Sequence, residues 1–406
     1  MKSKQSKMSR SVACAILGMA GLAMSGVASA SGFALIEQNA SGIGNAFAGG
    51  AAIADDASTV FFNPAGMTRL EGKQVVVAAH YIKPSMKFSG TGMNSNMGGD
   101  AGSPAIVPNA YFAMEMDSGM KFGLGLNAPF GLQTEYDAAW AGQHQAIKSK
   151  IETININPSI AYRMNDDLSV GAGIDYQRIS GVLSNYGGAV LGTTTVKGDD
   201  TGWGYNFGLL YNINQNSRLG MSYRSAIMYT LSGTVETSLP FADGPASLDI
   251  ELPDTLSMSM FHRLADNLDV MGDISYTGWS SFKQVKVLDA SGTVISNTVE
   301  NWKNTWRLSV GATLHYSEQW SSRIGVAYDQ SPVTDEFRTA RVPDSDRTWL
   351  ALGGQYKMDA ASAIDFGYAH LFVKNSTINS TSPAPALTGN YKSSVDILSV
   401  QYTHNM

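Results

Sequence analysis

The chain has 406 residues, 44% of them hydrophobic, with 28 Lys and Arg against 34 Asp and Glu and a single cysteine. Lys2, Lys4, Lys7 and Arg10 are its only charged residues up to position 30, so the remainder carries a net charge of 24 minus 34, or -10. That balance argues against nucleic acid as a partner, which needs clustered Lys and Arg. The absence of cysteine beyond Cys14 excludes disulfides and thiol catalysis there.

The first element is a targeting segment. The basic start, an apolar stretch from Val12 to Met24 and the small-x-small run Ala28-Ser29-Ala30 predict a signal peptide spanning residues 1–30. The mature chain then begins at Ser31 and holds 406 minus 30, or 376, residues. Cys14 is not a lipidation site, because Ser11 stands where a Leu is needed and the apolar run follows the cysteine. No later apolar run approaches the roughly eighteen residues of a membrane helix.

Residues 31–72 do not alternate between polar and apolar. Small residues dominate, broken by Gly and Pro, with too little charge for a disordered leader. A segment of this kind needs a place to pack, and a barrel lumen is the simplest one. A small periplasmic domain is the alternative.

Residues 73–406 read in twos. Trp203, Tyr205, Phe207 and Leu209 alternate with Gly202, Gly204, Asn206 and Gly208; Trp306, Leu308 and Val310 alternate with Thr305, Arg307 and Ser309. This is the signature of strands. A soluble β-sandwich alternates too. Its strands run to about five or six residues, whereas these often run to about ten, the length a tilted membrane strand needs. The polar faces carry Gly, Ser, Asn and Thr, and Tyr and Trp gather near strand ends, as in an interfacial girdle. Six short turns, near residues 117, 166, 215, 266, 318 and 359, alternate with seven longer loops. Thirteen connections predict an all-β fold: a 14-stranded antiparallel transmembrane β-barrel with a small N-terminal hatch in its lumen. The last strand ends on Met406, where barrels usually carry an aromatic residue.

The stretch from Gly49 to Ala65, with Ala-Asp-Asp-Ala and Asn-Pro-Ala, resembles the hatch of the FadL family of outer-membrane long-chain fatty acid transporters. The resemblance continues through Pro129-Phe130-Gly131-Leu132, Leu252-Pro253-Asp254, Tyr276 to Phe282, Lys303 to Arg307, Asp329 to Val333 and Val342 to Arg347. It implies a location in the outer membrane of a Gram-negative bacterium. It also implies a lateral opening in the wall at Ala128, Pro129, Phe130 and Gly131. Proline and glycine there interrupt the ladder; an ordinary strand end is the alternative. Lys303, on the parity of Thr305 and Arg307, is expected on the inner face, where it either meets a carboxylate headgroup or pairs with a hatch or wall carboxylate. The family's fifth-strand arginine has no counterpart near Asn185, and Arg178 points outward by parity.

Phe33, Leu35 and Ile36 resemble the family segment that reaches into the ligand pocket. Asn63, Pro64 and Ala65 are expected either to position the hatch or to mark an ordinary turn. Asp55 and Asp56 either couple the hatch to basic lumen residues such as Arg224 or Arg307 or cap backbone amides. A surface groove would involve Val190, Leu191, Leu239 and Phe241, on loops that are short for the family. The expected partners are a hydrophobic small molecule, a long-chain fatty acid or a hydrocarbon, and outer-membrane lipid, with the protein a monomer. No cofactor, metal or enzymatic activity is expected: the six histidines show no metal-like pairing, and no nucleophile-elbow or phosphate-loop motif appears. An outer-membrane hydrolase remains the remote alternative, and a carrier of neutral or aromatic hydrocarbons the nearer one.

Overall fold

The computed structural model describes residues 31–117, 119–238 and 243–406. The proposed signal peptide, Leu239 and Phe241 lie outside these residues. Twenty strand segments form one antiparallel sheet, and six of them continue a strand beyond a break, leaving fourteen wall strands. They are β1 (Lys73–Thr91), β2 (Ala105–Glu115), β3 (Lys121–Asn127 and Gly131–Glu135), β4 (Lys148–Arg163), β5 (Leu168–Tyr186), β6 (Thr193–Asn214) and β7 (Ser217–Arg224 and Ile227–Thr237). There follow β8 (Gly244–Leu252 and Thr255–Ala265), β9 (Leu268–Thr277 and Gln284–Asp289), β10 (Val294–Val299 and Thr305–His315), β11 (Trp320–Asp329), β12 (Arg347–Lys357), β13 (Ser362–Val373 and Ser376–Ser380) and β14 (Leu387–Asn405). β1 pairs with β14 from Gln74↔Asn405 to Thr91↔Thr388, which closes the barrel and removes the free edge that lipid cannot satisfy.

Alternation assigns the two faces. Trp203, Tyr205, Phe207 and Leu209 are exposed, whereas Gly202, Gly204, Asn206 and Gly208 are buried. The apolar face therefore points toward lipid and the small polar face toward the lumen, the reverse of a soluble sandwich.

The lumen holds the N-terminal segment, which contains three one-turn helices, α1 (Ala40–Ile43), α2 (Gly50–Ile53) and α3 (Thr59–Phe62), and a 3-10 stretch (Pro64–Arg69). It lies directly against wall glycines. A Cβ on Gly208 would stand 1.9 Å from Asn63 Oδ1, one on Gly220 1.9 Å from Ala51 O, one on Gly325 2.1 Å from the Asn45 carbonyl carbon, and one on Gly367 2.1 Å from Ile43 Cγ2. Wall cations then satisfy carbonyls that such short helices leave open. Arg218 donates to Ala52 O and Ile53 O, Arg163 to Thr68 O and Lys121 to Leu70 O.

Gly220→Val places a branched side chain on a backbone carbonyl that cannot swing aside. It is expected to lift α2 from the wall and raise the ion conductance of the reconstituted barrel. A conductance equal to that of the unsubstituted protein would count against the segment as the seal.

Candidate functional site

β3 breaks where Pro129 and Gly131 stand. Its first piece pairs with β4 up to Asn127↔Asn155 and the second resumes at Gly131↔Glu152, so three residues face two. On the other side the consequence is larger. β2 pairs with β1 along residues 105–114 but with β3 only from Ala110 onward, leaving Ala105 to Asn109 without a β3 partner among the described residues. The β2–β3 ladder is thus interrupted beside the kink, and β3 resumes beyond it at Gly131.

The N-terminal segment fills that interruption by main-chain pairing. Ala34 bridges Phe130, Leu35 N donates to Pro129 O (2.7 Å) and Gly131 N donates to Phe33 O (2.8 Å). Gln38 Nε2 donates to Ala128 O (3.0 Å), and Asn109 Nδ2 of β2 donates to Glu37 O (2.9 Å). Groups that the kink strips from the ladder find partners in a segment that is not part of the wall.

Phe33 is fully buried in an aromatic box, with ring centroids 4.7 Å from Trp279, 5.5 Å from Phe282, 5.5 Å from Trp302 and 6.1 Å from Phe130. Trp302 is held by its indole N–H donating to Glu300. Gly32 makes the entry to the box possible. Its φ is +62°, and a Cβ there would lie 2.8 Å from Trp302 and 2.9 Å from Trp279. Gly32→Val is therefore expected to unseat Phe33, seen as a rise in solvent quenching of tryptophan fluorescence. Unchanged quenching would remove the box as the seat of this segment.

Beneath the box lies a cavity of about 140 Å³. Leu35, Ile36, Phe62 and Pro129 give it apolar walls, and Arg224 and Arg307 bring the cations. Arg224 pairs with Asp175 and lies 4.4 Å above the Phe61 ring. Arg307 is buried; it donates to Ala46 O (2.7 Å) and to Ser309 Oγ (3.3 Å), and its Nε has no partner. A second, polar chamber of about 560 Å³ opens toward the short turns.

Several expectations need correction. Lys303 is exposed, in a non-strand stretch ahead of Thr305; its backbone N–H donates to Pro332 O. Strand parity does not extend into a loop, so it does not place Lys303 on the inner face, and Lys303 is not the buried lumen lysine expected. Asp55 is exposed and couples the segment to a different inward cation, Arg218, at 3.9 Å. Asp56 accepts from Ser58 N, Ser41 Oγ and Gln401 Nε2, a capping and docking role. Asn63 does anchor the segment: its Nδ2 donates to Ala51 O and Leu209 O, and its Oδ1 accepts from Ala65 N beside Pro64. Arg178 points outward to Asp199, as parity requires. Val190 is exposed and Leu191 half-buried on a one-turn helix, and an apolar recess of about 60 Å³ lies among Ile179, Leu183, Leu231, Leu248 and Phe282. The box residues Trp279 and Trp302 lie in or beside stretches that carry the family resemblance, but nothing in their local sequence marks them as partners of Phe33.

The profile of the outer membrane protein transport proteins (OMPP1/FadL/TodX) matches residues 21–406. The chain belongs to this family. It is an outer-membrane protein. It is 31% identical over 386 residues to the long-chain fatty acid transport protein of Salmonella typhi, covering 86% of this chain and 89% of that one. It is 31% identical over 409 residues to outer membrane protein P1 of Haemophilus influenzae, covering 88% and 89%. Among solved structures, a Pseudomonas aeruginosa FadL homologue superposes with a TM-score of 0.86 at 27% identity, over 92% of this chain and 99% of that one. The Ralstonia pickettii toluene transporter TbuX shares the fold, with a TM-score of 0.69 at 20% identity, over 89% and 98%.

Proposed function

We propose that this family member takes up long-chain fatty acids, which replace Phe33 in the aromatic box, set their carboxylate against Arg307 and leave sideways through the β3 kink. The N-terminal segment is the hatch. The observation that carries the reading is one segment's double engagement: Phe33 fills the box while Phe33, Ala34 and Leu35 pair with the backbone of 129–131. A ligand that displaces Phe33 therefore pulls on the bonds that close the wall. Movement into the bilayer suits such a ligand, because each methylene kept out of water is worth about 0.8 kcal/mol.

A neutral or aromatic hydrocarbon is the second reading. The position of Lys303 favours it, since the lumen lacks that cation. The deciding experiment is uptake by a deletion strain complemented with this protein, comparing oleate with toluene. Oleate uptake that depends on the protein supports the first reading. Toluene uptake alone transfers the assignment to the second, and dependence of neither removes both.

A further inference from the structure

We infer a second membrane-facing port, between β6 and β7, through which a hydrocarbon chain lying in the outer leaflet enters the cavity. The inference rests on the fatty acid reading above and adds an entry to its exit. The β6–β7 ladder runs from Asn214↔Ser217 to Asn206↔Arg224, stops, and resumes from Asp199↔Ser232 to Thr194↔Thr237. Residues 200–205 thus face residues 225–231, six against seven, with no ladder pair between them. A β-bulge accounts for the one-residue shift, but a bulge unpairs one residue or so, not a run of this length.

Side chains stand in for backbone at both lips of the gap. At one, Ser225 N donates to Tyr205 O (2.9 Å), but Tyr205 N donates to the Ser225 hydroxyl (3.0 Å). At the other, Thr230 N and Thr201 N both donate to the Asp200 carboxylate (2.8 and 2.7 Å). Between the lips, Gly202 and Gly204 bring no side chain to the inner surface. Ile227 and Tyr229 fill the space: a Cβ on Gly202 would lie 2.6 Å from Ile227 Cγ2, and one on Gly204 2.9 Å from Ile227 Cγ1. The closure is two side chains rather than a ladder.

Both sides of the gap suit a hydrocarbon chain. Inside, the cavity reaches Ser225 and Ile227, and Ile227 and Tyr229 belong to the apolar cluster that includes Phe33. Outside, Trp203 and Met228 are 69% and 78% exposed, the highest values among the large apolar side chains of the described residues. Tyr176 packs 4.7 Å from Trp203, and Tyr205 6.2 Å from Tyr223, an aromatic band of the kind that marks the membrane interface. Irregular backbone at membrane depth is tolerated where it lines a cavity, and this break does so.

The test is a removable lock. The distance from a Gly204 Cβ to Ile227 Cγ1 is within the reach of a disulfide, and the chain beyond residue 30 has no cysteine to compete. The full chain carrying Gly204→Cys and Ile227→Cys is reconstituted in liposomes with a diazirine-bearing stearic acid already dissolved in the bilayer. After illumination, labelled residues are mapped by mass spectrometry. The expected result is label on Tyr229 and Leu252 in the reduced protein, falling several-fold on oxidation and returning with reductant. Equal label in both states, or none in either, overturns the port. Ile227→Ala, which needs no disulfide, is expected to raise the label on Leu252; an unchanged or lower yield also overturns it. The fatty acid reading is tested separately by the same probe delivered in water from albumin. Failure to label the Phe33 box by that route defeats the reading whatever the lock does.

Discussion

Deletion of Pro129 is expected to abolish oleate uptake while leaving an assembled, heat-resistant barrel. The kink sets three residues, 128 to 130, against two, 153 and 154. Removing one restores equal numbers and lets the second piece of β3 fall into register beside β2, whose residues 105–109 wait unpaired on that side. With β3 closed, a ligand in the cavity can only return to the outer leaflet by the gap between β6 and β7, which is no net uptake, or leave through the polar lower chamber. For about sixteen carbons at 0.8 kcal/mol each, passage through water costs roughly 13 kcal/mol, so the effect on transport should be total. Binding in detergent should survive, because the box residues Trp279, Phe282 and Trp302 lie on other elements. Pro129→Thr with Gly131→Val is the milder closure: it returns a ladder donor and adds strand-forming side chains but leaves three residues against two. Uptake should fall without vanishing. Normal uptake through an assembled deletion variant would defeat the lateral exit.

The barrel was legible because membrane strands write both their faces into alternate positions. Trp203 to Leu209 needed no partner to be read, and the six short turns supplied the strand count. The kink was legible from Pro129 for the same local reason. Contacts made across the lumen were not. Arg163, Arg218 and Lys121 look like ordinary inward cations, and only the path of the N-terminal segment shows that they hold its carbonyls. Lys303 failed because parity was carried two residues past the start of its strand at Thr305. The gap between β6 and β7 left no mark at all: Gly202 and Gly204 keep perfect alternation, and a missing ladder is a property of two strands, not one.

Arg307→Gln is expected to weaken oleate binding by about ten- to a hundredfold, the range of a lost hydrogen bond to a charged group of about 1.5–3 kcal/mol. Arg307 is the cavity cation with capacity to spare. Arg224 is committed to the Asp175 carboxylate and to Phe61 O, whereas Arg307 gives its two Nη only to the neutral acceptors Ala46 O and Ser309 Oγ and leaves Nε without a partner among the described residues. An incoming carboxylate meets a guanidinium that lines the cavity and lies 5.1 Å over the Trp349 ring. Glutamine keeps an amide where Nε stands but stops short of Ala46 O, so lost charge must be separated from lost support of the segment. The comparison that isolates the headgroup uses oleyl alcohol, which has the same chain and no charge. Oleate affinity should drop while that of the alcohol changes little. Equal losses would mean that the substitution merely disturbed the N-terminal segment. Lys303→Ala serves as the matched control, a cation removed from an exposed loop, and should leave both ligands bound as before. If Lys303→Ala rather than Arg307→Gln reduced oleate binding, the headgroup would sit at the mouth of the barrel, and the ligand would lie inverted relative to the path from box to kink.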